Sequence, residues 1–195
     1  MSGAAALYEG GFADPAPQSA AAFRAALEAL ARPGRIERIG GCRPPAGLSP
    51  AAGGLLLCVA DADTPVWVPE GGEDIAAWTL FHTGAPRALR RSDAAFAAGS
   101  WDALMPLTDW PVGTADYPDR ATTLIVDVPS LEGGDALRLS GPGIKGTAEV
   151  APMLPREAVA ALAANRARFP LGVDLYLTAG EAVMGLPRST RVEAS

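Results

Sequence analysis

The chain has 195 residues, enough for one domain with a sizeable core, and 49% of them are hydrophobic. A formal charge of −6, a pI near 4.8 and the lack of any Lys/Arg cluster exclude the basic footprint of a nucleic-acid binder. No stretch approaches the ~18 apolar residues of a membrane span, and the N-terminus lacks the basic region of a signal peptide. Two cysteines, Cys42 and Cys58, are too few for a disulfide framework or a zinc site, so a cytoplasmic protein with reduced thiols is expected.

Residues 1–13 are rich in Gly and Ala and read as a flexible segment, with a single domain over 14–195. Asp14-Pro15 offers an N-cap and a proline for the first helical turn. From Gln18 to Arg32, Phe23, Leu27 and Leu30 recur at helical spacing, which predicts an amphipathic helix with that stripe inward, ended by Pro33-Gly34. Arg35–Ile39 reads as a short edge strand, followed by a Gly/Pro loop. Leu55–Ala60, LLLCVA, reads as a strand buried on both faces.

Glu73–Phe81 reads as a helix with Ile75 and Trp78 inward. Residues 87–98 fit either a strand-turn-strand or a short helix, and Trp101–Leu107 fits a helical turn. Ala121–Val128 is rich in β-branched residues and reads as a strand. After the turn at Gly133-Gly134, Asp135–Ser140 is expected to return as its partner. Pro155–Arg168 reads as a helix. Val173–Thr178 and Ala182–Leu186 flank a tight hairpin turn. Strands interspersed with helices imply an α/β fold, a sheet covered by helices.

The stretch 139-LSGPGIKG-146 contains Gly141, Gly143 and Gly146 in G-x-G-x-x-G order. A dinucleotide loop of that form leads from a strand into a helix. Here the following GTAEVAPMLP is not helical and Pro142 removes a backbone donor, so the residues favour a structural turn. Lys145 is the only lysine. In that turn it reads as a solvated side chain rather than a Schiff-base lysine.

His82 is the only histidine. It reads either as a helix C-terminal residue facing the last carbonyls or, with Thr83, as a polar site. Asp61 and Asp63 follow LLLCVA directly. They are either turn-capping residues or carboxylates at the C-terminal end of a buried strand, where open α/β sheets bind ligands. Arg188 and Arg191 flank Ser189 and Thr190, which fits an anion site or a solvated segment. The candidate ligand-binding residues are therefore Asp61, Asp63, His82, Thr83 and Arg188. No catalytic residue and no metal site is assigned, and no self-sufficient catalytic constellation is evident.

Five stretches in order, 23-FRAALEALARPGRI-36, 55-LLLCVADADTPVW-67, 81-FHTGAP-86, 121-ATTLIVDVPSLEGGDALRLSGPGI-144 and 169-FPLGVDLYLTAGEAVMGLPRSTRVE-193, together resemble the PhnH family of bacterial carbon–phosphorus lyase subunits. The resemblance implies a three-layer α/β/α sandwich with a mixed sheet, similar to the large domain of pyridoxal-phosphate (PLP) transferases but without the PLP site and without a cofactor. It implies a homodimer that assembles with PhnG, PhnI and PhnJ. It also implies a role in forming ribose 1-phosphonate 5-triphosphate from ATP and an alkylphosphonate, as an accessory or substrate-holding subunit. An independent homodimer that binds nucleotide or phosphonate is the alternative. On that reading Trp67, and with it Trp101, Trp110 and Tyr117 in the loop-rich segment 99–120, are either packing residues or partner surface.

Overall fold

The structure, a computed structural model, describes residues 8–195; the expected flexible segment 1–13 lies outside them up to residue 7. In chain order the first elements are α1 (Pro15–Ala31), β1 (Ile36–Arg38), α2 (Pro50–Val59), β2 (Val66–Trp67), α3 (Glu73–Thr83), β3 (Phe96–Ser100) and α4 (Trp101–Leu104). There follow β4 (Thr123–Asp127), β5 (Leu137–Ser140), β6 (Ala148–Val150), α5 (Ala158–Ala167), β7 (Asp174–Ala179), β8 (Ala182–Leu186) and β9 (Arg191–Ala194). Six strands form one mixed sheet in the order β1-β8-β7-β4-β3-β2, and three form a second sheet in the order β6-β5-β9. In the large sheet β2, β3, β4 and β7 run parallel, while β8 and β1 are antiparallel to their neighbours.

Period-two alternation divides the large sheet into two buried faces. Ala98, Ile125, Tyr176 and Val183 point to the side covered by α1, α2 and α3. Ala97, Leu124, Val126, Leu175, Leu177 and Met184 point to the other side, covered by α4, α5 and the small sheet. The β7–β8 hairpin turns on Gly180-Glu181, with Gly180 at φ 57°. A positive φ at the first turn position suits a two-residue hairpin and is open to glycine.

The segment 55–60 is not a strand. It is the second half of α2, because Ser49 caps the helix by accepting the Ala52 N–H at 3.1 Å and Pro50 fills its first turn. A helix apolar on all sides is a buried helix, and a six-residue window of it has no period to distinguish it from a buried strand. Gly53 and Gly54 allow it to sit deep: a Cβ on Gly54 would lie 2.4 Å from Ile39 Cγ2.

The helix α1 forms as expected but with a different face inward. Ala22, Ala26 and Ala29 are buried, whereas Phe23 and Leu27 are 47% and 53% exposed. The cause is close approach to β8, where a Cβ on Gly185 would lie 2.4 Å from the Ala29 carbonyl oxygen. Larger side chains cannot enter that contact. The expected return strand is also relocated: β5 pairs with β6 and β9, not with β4. At the far end of α5, buried Asn165 donates to the Val173 carbonyl at 2.8 Å and accepts the Val173 N–H at 2.9 Å, which fixes the helix to the start of β7.

Candidate functional site

The parallel strands end together at Ser100, Asp127 and Thr178. Such an edge is where α/β sheets of this kind present ligand-facing groups. Asp127 stands at its centre, half-buried. One carboxylate oxygen accepts the Ser49 N–H at 2.8 Å, and the other accepts the Thr178 hydroxyl. Asp127 thus faces the N-terminus of α2, whose partial positive charge suits a carboxylate. The hairpin tip is joined to the same structure, since the Gly180 carbonyl accepts the Ala51 N–H at 2.8 Å and the Glu181 carbonyl accepts the Ile39 N–H at 2.8 Å. Beside them lies an open recess of about 380 Å³, bordered by Ile36, Ser130, Glu132 and Gly180. Asp61 follows a segment that is helical, so it is not a strand-end carboxylate. That position belongs to Asp127, at the end of β4.

Four of the five candidate residues meet at a different corner. Asp61 closes its own turn: its carboxylate accepts the Asp63 N–H at 3.0 Å and the Thr64 hydroxyl at 2.9 Å. That is the turn-capping role. The turn lies against the end of α3, where Ala62 abuts Gly84. Thr83 donates to the Thr79 carbonyl at 2.7 Å and accepts the Ala85 N–H at 3.1 Å. His82 packs edge-on against Trp78 and Phe81, each with ring centroids 5.0 Å away, and its buried Nε2 has no hydrogen-bond partner among the described residues. Residues 8–11 run over this ring: a Cβ on Gly11 would lie 2.5 Å from His82 Cε1, and the Glu9 carbonyl accepts the Trp78 indole N–H at 2.9 Å. Asp63 is exposed.

Arg188 is not part of this corner. It pairs with Asp174 at 2.6 Å and donates to the Pro118 carbonyl at 2.7 Å, which ties the 118–120 turn to the start of β7. Among the described residues no group of three His, Cys, Asp or Glu side chains has the arrangement of a metal site.

The glycine loop connects β5 to β6 and leads into no helix. Gly143, at φ 81°, lies against the end of α1, where a Cβ would be 2.1 Å from the Ala31 carbonyl oxygen. The loop is a packing turn, and Lys145 is exposed. In segment 99–120, Trp101 and Trp110 are only 6% and 3% exposed, so they are core residues, and only Tyr117 remains as exposed aromatic surface. Arg91, which the sequence did not mark, organises this segment. Its guanidinium lies 5.2 Å and 4.9 Å from the ring centroids of Trp67 and Trp110 and donates to the Ala103 and Met105 carbonyls.

Cys42 and Cys58 are both unpaired. Burial pushes their thiols up to about 11 and about 12, so both are protonated and inert at neutral pH. Burial likewise raises the Tyr176 phenol, which donates to the Ala26 carbonyl.

Residues 10–193 match the family model of the bacterial phosphonate metabolism protein PhnH. The chain belongs to the PhnH family. A relative from Rhizobium meliloti (strain 1021), the alpha-D-ribose 1-methylphosphonate 5-triphosphate synthase subunit PhnH, is 43% identical over 198 residues and 99% of each chain. The "Putative C-P lyase subunit protein HtxG" of Stutzerimonas stutzeri is 28% identical over 179 residues, covering 91% of this chain and 87% of the relative. The PhnH match covers the described helices and all but the last residue of β9, so the α1–β8 contact and the Asp127 hub both lie inside it. Among the described residues, no helix is long and apolar enough to cross a membrane.

Proposed function

We propose that this chain is a PhnH subunit of a cytoplasmic carbon–phosphorus lyase assembly and acts in forming ribose 1-phosphonate 5-triphosphate from ATP and an alkylphosphonate. The observation that carries this is the 43% identity to the rhizobial synthase subunit over 99% of both chains. On this reading the protein is a homodimer whose partners are PhnG, PhnI and PhnJ. Its sandwich is akin to the large domain of PLP transferases without their cofactor.

The role is accessory or substrate-holding. The side-chain chemistry supports this: Asp61, Thr83, Asp127 and Arg188 are each committed to hydrogen bonds that hold turns, caps or strand ends. Asp63 and His82 are the candidate residues whose polar side-chain atoms make no hydrogen bond among the described residues, and they are the ones proposed to contact ligand or partner.

The test is deletion of the gene in a host that depends on this pathway, scored by growth on methylphosphonate as sole phosphorus source. Failure there, normal growth on phosphate, and rescue by the intact gene are expected. Normal growth of the deletion strain on methylphosphonate would overturn the reading and favour an independent binding dimer. An Asp63→Ala/His82→Ala double variant that rescues fully would remove those two residues from the site.

A further inference from the structure

A cavity of about 530 Å³ runs along the outer side of α5. Trp101, Met105 and Leu107 form one wall, and Ala161 and Ala164 form the other. Volumes of this order, largely apolar with a few polar groups, are those of small-molecule sites. Between Glu157 and Arg168 at its ends, the helix side presents the methyl groups of Ala161 and Ala164, which leave room for a ring. Met105 offers a pliable thioether and Trp101 an indole opposite it. A slot of this shape suits a planar ring system.

Asn165 at the slot is already bonded to Val173, but two other polar groups there, the Trp101 indole and the Arg168 guanidinium, have no partner among the described residues. Trp78 and Trp110 donate their indole N–H groups to the Glu9 and Leu104 carbonyls. Trp101, 6% exposed, has no such acceptor among the described residues, and its nitrogen is not among the fully buried orphan atoms. Its N–H is left without a protein acceptor among the described residues, on a side chain that lines the cavity. Arg168, at the C-terminal end of α5, takes part in no ion pair among the described residues. Glu157 lies at the opposite end of the same helix. At 1.5 Å rise per residue the two ends are roughly 16 Å apart. That exceeds the Debye length of ~10 Å at 0.1 M salt, so the carboxylate does not cancel the guanidinium.

We infer that this cavity binds a flat aromatic or heteroaromatic ligand carrying an anionic group. The ring lies between α5 and the Trp101–Leu107 wall, the Trp101 N–H donates to an acceptor on the ligand, and Arg168 holds the anion.

The test uses the purified full chain and two dyes. One is 8-anilinonaphthalene-1-sulfonate, a planar aromatic sulfonate; the other is uncharged N-phenyl-1-naphthylamine. Saturable binding of one sulfonate dye per chain is expected. Arg168→Ala weakens the sulfonate about tenfold, the scale of a charge-assisted hydrogen bond, and changes the uncharged dye less than about twofold. Ala164→Phe fills the slot and abolishes binding of both. Ala164 is exposed, so the circular dichroism spectrum and melting temperature of that variant stay at the parent values. Absence of saturable sulfonate binding, retention of it in Ala164→Phe, or an equal effect of Arg168→Ala on both dyes would each overturn the assignment.

Discussion

The two faces of the large sheet are packed by opposite means. On the α1–α2 side Ala22, Ala26, Ala29, Ala51 and Ala52 pack with Leu55, Leu56 and Ile125, and at Gly185 the backbones of β8 and α1 nearly touch. On the α4–α5 side they are made by Trp101, Trp110, Leu124, Leu175 and Leu177, with a cavity left along α5. Interiors are close-packed in both cases. The first face therefore fails when atoms are added, and the second fails when they are removed.

The largest effect is expected from adding bulk to the first face. Gly185→Val sets a side chain against the Ala29 carbonyl, whose backbone cannot yield. A loss of about 3 kcal/mol or more is expected, read as a collapse of the urea midpoint or loss of folded protein on expression. A parental midpoint would mean that α1 does not press on β8. Removing bulk from the second face comes next. Leu177→Ala, at a fully buried position, is expected to cost about 3 kcal/mol through lost burial and a cavity. A cost below about 1 kcal/mol would show that this face relaxes around the gap.

Arg188→Met tests the edge where neither rule holds. It leaves Asp174 without its cation, but the two side chains are 13% and 22% exposed. Discounted for solvent, about 1–2 kcal/mol is expected. High salt should narrow the difference between variant and parent. On the outer side of α1, Phe23→Gln with Leu27→Gln is expected to shift stability by less than about 0.5 kcal/mol, because both are surface residues. A larger loss would place that stripe in an interface.

A separate test is the pH dependence of the first face, which holds both cysteines and Tyr176. Their folded pKa values are raised, so folding favours the protonated forms. An unfolded thiol ionises near 9.0. Stability is therefore complete below pH 9 and falls as pH rises toward 11–12. The urea midpoint should decline over that range, and less steeply in Cys42→Ala/Cys58→Ala. Equal slopes for parent and variant would remove the thiols as the cause.

Legibility in the sequence followed the same division. Strands β4 and β7, rich in branched and large residues, were visible by composition, and so was the hairpin on Gly180-Glu181. Where packing is by alanine and glycine, side-chain size points the wrong way. Phe23 and Leu27 have helical spacing and marked a helix correctly, but the face that enters the core is the one with the least apolar area. LLLCVA likewise lacks the period that separates buried helix from buried strand, and its cap, Ser49-Pro50, lies before the window. Of the two readings of Asp61, the turn cap is the one the structure shows, and the strand-end carboxylate is Asp127. Asp127 was legible in ATTLIVDV as a carboxylate at the end of a β-branched run. Arg91 and the cavity along α5 were not, since each arises from segments that only the tertiary fold brings together.

The pairing of β1 with β8, and of α1 with the same strand, has a consequence for how the protein is made. On the ribosome α1 and β1 emerge early, while their docking strand is encoded at residues 182–186. A nascent chain halted at residue 170 carries β4 without β7 and an alanine face with nothing to receive it. Distant pairings of this kind must close a long loop before any contact rewards it. The large sheet is therefore completed only after residues 182–186 have emerged, and until then the earlier segments carry unpaired strand edges and uncovered apolar faces, the features that favour association with other chains.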